Sequence, residues 1–102
     1  MTAVIQSPDA KRDLEEIWLR IAADNSPAAT RLLRAIGAKI ERLADHPRMG
    51  PRRPDIRPGA RMLVEGPYLV LYEARPDTDE GPIEIVEIVR VVDGRRDLAT
   101  LF

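Results

Sequence analysis

Two Ser-Pro dipeptides, Ser7-Pro8 and Ser26-Pro27, constrain this chain more than any other feature. A serine just before a helix offers its side-chain oxygen to the first free N–H groups, and proline suits the first helical position, where a missing N–H is no loss. In SPDA the following Asp9 also favours the positive end of the helix dipole. Ala10, Leu14, Ile17 and Ile21 then recur at three- and four-residue steps with Trp18 beside them, which predicts a helix over about 8–23 with one apolar face. Lys11, Arg12, Asp13, Glu15, Glu16 and Arg20 are read mostly onto its polar side. SPAA starts a second helix, with Ser26 expected as cap and Pro27 as opener, carrying Ala29, Leu32, Leu33, Ile36, Ile40 and Leu43 on one face and stopping near Asp45 because of Pro47. Gly37 costs this helix about 1 kcal/mol against alanine and either lets the first helix come close or is simply tolerated. Only Asp24 and Asn25 separate the two helices, so an antiparallel hairpin is expected.

The remainder reads as strand and turn. Residues 2–6, TAVIQ, form a short β-prone opening. Residues 46–60 hold four prolines and two glycines and are expected to be a loop, long for a compact domain. Strands follow at Arg61–Glu65, at Tyr68–Ala74 after the Gly66-Pro67 turn, and at Ile83–Val92 after a second turn. Tyr68, Val70 and Tyr72 should face one way and Leu69 and Leu71 the other. Ile83–Val92 is apolar on both faces, which places it inside the sheet, and its uneven alternation suits a bulge. The expected order is β-α-α-β-β-β. This is an α+β, two-layer fold with a helical hairpin on one face of a small, mainly antiparallel sheet.

A length of 102 residues predicts a single domain over 1–102. The absence of cysteine removes disulfides and thiolate metal sites. The opening MTAVIQSPDAKRDL shows no basic segment followed by an apolar one, and no apolar run approaches a membrane span, so a cytoplasmic protein is expected. Sixteen basic and seventeen acidic residues leave a net charge of −1, which argues against a protein that binds nucleic acid on its own. Fourteen of the basic residues are arginine, and Arg48, Arg52, Arg53, Arg57 and Arg61 cluster with Asp55 as the only acid among them. Arginine forms planar bidentate contacts that lysine cannot, although a GC-rich genome also raises arginine content.

Chemistry-bearing residues are few. His46, the only histidine, reads as a group at the end of the second helix interacting with terminal carbonyls. Tyr68 and Tyr72 share a strand face and read as core tyrosines. Asp77, Asp79 and Glu80 read as a solvated turn, and no metal site or cofactor is expected. Arg61, Arg90, Arg95 and Arg96 could converge at one end of the sheet, where three readings stand: ion pairs, a docking surface for an acidic partner, or phosphate stabilisation in catalysis.

The segments SPDAKRDLEEIWLRIA, SPAATRLLRAI, RLADHPRMG, an arginine before PYLVLYE, and IVRVVDGRRDL together resemble the ParE toxins of bacterial toxin–antitoxin modules, over nearly the whole chain. The family commonly has histidine where Asp93 stands. The resemblance implies the RelE/ParE fold and two branches of activity: inhibition of DNA gyrase in ParE-like members, ribosome-dependent mRNA cleavage in RelE-like ones. It also implies silencing by an antitoxin, here ParD-like, in a toxin–antitoxin hetero-oligomer. The tail after Val92 contains neither tyrosine nor histidine, and guanidinium groups are poor bases, so the gyrase branch is favoured and an enzymatic role is the minority reading. A nuclease would have to use Arg61, Arg90 and Tyr72. Candidates for contact with target or partner are Arg52, Arg53, Arg61, Arg90, Arg95 and Arg96. Trp18, Ile21 and Leu33 are candidates for the antitoxin groove, Trp18 reading first as core and second as anchor. A degenerate toxin, serving only antitoxin binding and operon regulation, is the third alternative.

Overall fold

The computed structural model describes residues 2–95; Met1 and residues 96–102 lie outside the described residues, and with them Arg96. The elements are β1 (Ala3–Gln6), α1 (Pro8–Ala22), α2 (Ser26–Arg42), β2 (Arg61–Glu65), β3 (Tyr68–Arg75) and β4 (Ile85–Asp93). Ser7 caps α1 as its sequence requires, its side chain accepting from the Ala10 N–H at 3.0 Å. The cap of α2 is Asn25 instead of Ser26: Asn25 Oδ1 accepts from the Ala28 N–H at 3.0 Å, and Ser26 is already helical. Asparagine is as good a cap as serine, so the helix starts one residue earlier than a Ser26 cap would allow. The helix ends at Arg42, before Pro47 could stop it; successive tight turns through Leu43, Ala44 and Asp45 take up the last carbonyls.

The sheet order is β1-β4-β3-β2, with β2, β3 and β4 antiparallel and β1 parallel to β4. The central position of β4 matches its two-sided apolarity, and the expected bulge is present: the register with β3 shifts between Leu71 and Tyr72, leaving Val89 as the extra residue on β4. Ile83 and Glu84 precede the strand, yet Ile83 is buried and its carbonyl accepts from Thr2 Oγ1 at 2.7 Å.

The two faces carry separate cores. Ile17, Ile36, Ile40 and Leu43 from the helices pack on Tyr68, Val70, Tyr72, Val86, Ile88 and Val91. The opposite face is partly covered by the 46–60 loop, whose Ile56 packs on Leu71 and Val92. The start of that loop is held from the helix-side core by Tyr72, which is fully buried: its hydroxyl donates to the Pro47 carbonyl at 3.0 Å and accepts from the Gly50 N–H at 2.9 Å. Gly50 lies so close that a Cβ there would stand 2.8 Å from the Tyr72 ring and 2.7 Å from the Met62 carbonyl oxygen. Gly37, by contrast, has nothing within 4 Å of the position a Cβ would take, so close approach of α1 is not its purpose.

Candidate functional site

Strand β4 outruns β1, which pairs with it only as far as Ile88. Beyond that point the start of α1 takes the place of a strand. The Ser7 N–H donates to the Ile88 carbonyl at 2.9 Å, and the Ser7 hydroxyl donates to the Val89 carbonyl at 2.8 Å. Asp13 then accepts the Val91 N–H at 2.9 Å and both Nε and Nη2 of Arg90, at 2.7 and 2.9 Å. The Asp13 and Arg90 side chains are 12% and 22% exposed, so this bidentate pair is largely withdrawn from water. Arg90 is held above the ordinary guanidinium value, chiefly by its hydrogen bond to Asp13. The charge of Asp13 suggests the polar side of its helix. Its spacing tells otherwise: three residues after Ala10 and four before Ile17, it falls within the apolar stripe.

At the end of β4, Gly94 N–H donates to the Pro67 carbonyl at 2.7 Å, and the Arg95 backbone and guanidinium both donate to Asp93. The Arg95 hydrogen bonds hold the Asp93 carboxyl well below the usual carboxylate range, with Arg20 adding a smaller pull. Arg20 also donates to the Tyr68 hydroxyl at 3.4 Å.

The other candidate arginines lie elsewhere. Arg61 is buried on β2, donating from Nη1 to the Gly50 and Arg48 carbonyls at 2.8 and 3.4 Å, while its Nε has no partner among the described residues. Arg52 pairs with Asp77 and Asp79, and Arg53 with Asp55. Arg61 and Arg90 therefore do not converge: β3 runs between them, and one is committed to the loop, the other to α1. Tyr72 presents no free hydroxyl, and burial pushes its pKa up, against the opposing effects of the Gly50 N–H and Arg61. Among the groove candidates, Ile21 and Leu33 are half-buried against the main core, whereas Trp18 is 38% exposed beside Leu19 at 56%, so its first reading, as a core residue, is replaced by a partly open surface position. Among the described residues, no group of three or more acidic or histidine side chains is arranged to hold a metal, and no helix is long and apolar enough to cross a membrane.

Comparison with known proteins identifies the chain where the site alone does not. A family model described as the ParE toxin of type II toxin-antitoxin systems, parDE, matches residues 4–98. The chain belongs to the ParE toxin family. Toxin ParE3 of Caulobacter vibrioides is 33% identical over 100 residues, 97% of this chain and 93% of that protein. Toxin ParE1 of Mycobacterium tuberculosis is 37% identical over 87 residues, 81% of this chain and 83% of that one. A solved structure titled as the chromosomal ParDE system from P. aeruginosa superposes with a TM-score of 0.71 at 21% identity, covering 91% of this chain and 96% of that one. This likeness establishes the ParE fold for the two-helix, four-strand arrangement described above.

Proposed function

We propose that this ParE-family chain is a cytoplasmic growth-inhibiting toxin that acts by holding DNA gyrase, and that a ParD-like antitoxin neutralises it by wrapping its surface in a hetero-oligomer. The observation that carries the binding mode is the state of Tyr72. In-line RNA cleavage needs one group to take a proton and another to return it. Of the residues a nuclease would recruit, Tyr72 has its hydroxyl engaged on both sides inside the core, Arg61 is buried and Arg90 is paired with Asp13. Guanidinium groups supply charge without proton transfer at neutral pH. That pattern supports recognition over catalysis. Exposed Arg52 and Arg95 and half-buried Arg53, together with Arg96, remain the contact residues we assign to target or antitoxin.

Supercoiling by purified gyrase tests the reading. Excess toxin should slow supercoiling and accumulate cleaved DNA, and added antitoxin should reverse both. Unimpaired supercoiling would remove gyrase as the target. Fresh 5′ ends within ribosome-bound codons, in a translation reaction containing the toxin, would establish the mRNA-cleaving alternative.

A further inference from the structure

Among the described residues, seven arginines are answered by a carboxylate: Arg12 by Asp9, Arg52 by Asp77 and Asp79, Arg53 by Asp55, Arg57 by Glu73, Arg75 by Glu87, Arg90 by Asp13 and Arg95 by Asp93. Arg20, Arg48 and Arg61 donate to hydroxyl or carbonyl oxygens instead, and the arginines of α2 do neither. Arg31, Arg34 and Arg42 are all exposed, and among the described residues none of them has a hydrogen-bond or ion-pair partner. At 100° per residue they fall on one face, opposite Ala29, Ile36 and Ile40, with the small Ala35 and Ala38 between them. At the C-terminal end of this row, Arg42 lines an open hollow of about 380 Å³ with His46, Pro47, Arg48 and Met49, which adds further basic groups and no acid. Glu41, also exposed and seven residues after Arg34, is the one acid of α2, so this face keeps an excess of positive charge that the net charge of −1 conceals.

We propose that the outer face of α2 is a docking surface for the phosphate backbone of duplex DNA. Two features favour this over an acidic protein. Among the described residues the exposed large apolar side chains are Ile5, Trp18, Leu19 and Val64, none of them on α2. Protein partners draw their affinity from buried apolar and aromatic anchors, whereas phosphate binding needs only positive charge and close approach. Alanines between the arginines leave that approach open, and guanidinium forks match phosphate oxygens bidentately. From Arg31 to Arg42 the helix rises about 17 Å, about half a turn of B-DNA, so both ends of the row reach phosphates of one duplex. The inference does not depend on which enzyme the toxin targets.

Fluorescence anisotropy with a short mixed-sequence duplex, without gyrase or antitoxin, tests it. Binding should be weak and independent of sequence, and log affinity should fall with log salt at a slope of about −3 for three to four neutralised phosphates. Changing Arg31, Arg34 and Arg42 together to Gln should lower affinity at least tenfold and flatten the slope, with an unchanged melting temperature. Arg12→Gln with Arg75→Gln, which remove arginines already paired, should leave the slope in place. No binding at about 50 mM salt, or binding that survives the triple change, would overturn the proposal. So would capture of poly-glutamate that the triple variant loses while wild type ignores DNA, an outcome that assigns the row to an acidic protein.

Discussion

Replacing Asp13 by alanine isolates the contact that joins α1 to the part of β4 beyond β1. The change removes acceptors from three donors: Arg90 Nε, Arg90 Nη2 and the Val91 N–H. A buried N–H left without a partner costs about 1–3 kcal/mol, and hydrogen bonds to charged groups contribute about 1.5–3 kcal/mol. Breaking a fully buried ion pair from one side costs about 3–5 kcal/mol. Arg90, 22% exposed, can turn partly toward water, which lowers that figure. The expected loss is about 3 kcal/mol, or more than about 10 °C in melting temperature for a domain of this size. Urea titration with thermal melting measures it. Asp13→Asn, which retains an acceptor for Val91, should lose about half as much. Adding Arg90→Met to Asp13→Ala should recover stability by removing the stranded charge. A loss below about 1 kcal/mol for Asp13→Ala, or a double variant as unstable as the sum of its parts, would refute the assignment of this pair as the fastening of α1.

Gly50→Ala should destabilise by about 2 kcal/mol or more, since its methyl group meets the Tyr72 ring and the Met62 carbonyl below 3 Å; a denaturant midpoint equal to wild type would refute the close packing. Gly37→Ala should stabilise by about 0.5–1 kcal/mol, because the site is open and helical, read as a rise in melting temperature. Asp93, its pKa depressed by Arg95, contributes stability that is present above the unfolded value near 3.9 and lost as pH falls toward its lower folded value. The melting-temperature gap between wild type and Asp93→Asn should therefore be constant at neutral pH, close in acid, and shrink with salt.

The Ser-Pro starts, the alternating tyrosines of β3 and the two-sided β4 made the order of elements readable, because each of these is a local pattern. Capping by Asn25 was hidden because asparagine and serine stand side by side and either can cap. Parallel pairing of β1 with β4 joins residues at opposite ends of the chain, and no local spacing encodes it. The arginines were the least readable part. Arg90 meets an acid 77 positions away and Arg52 one 25 positions away, so a sequence displays the charges without their partners. Asp13 is the exception, since its place in the apolar stripe between Ala10 and Ile17 is itself a local pattern that marks it as inward-facing.

Because β1 is so short, the middle strand ends in bare peptide groups of the kind that recruit other chains into stacked ribbons. Ser7 and Asp13 occupy those groups with side chains, leaving an intruding strand nothing to ladder onto. The first turns of α1 thus serve as a stopper against self-assembly at this stretch of β4, and conditions that loosen them should open it to strand pairing.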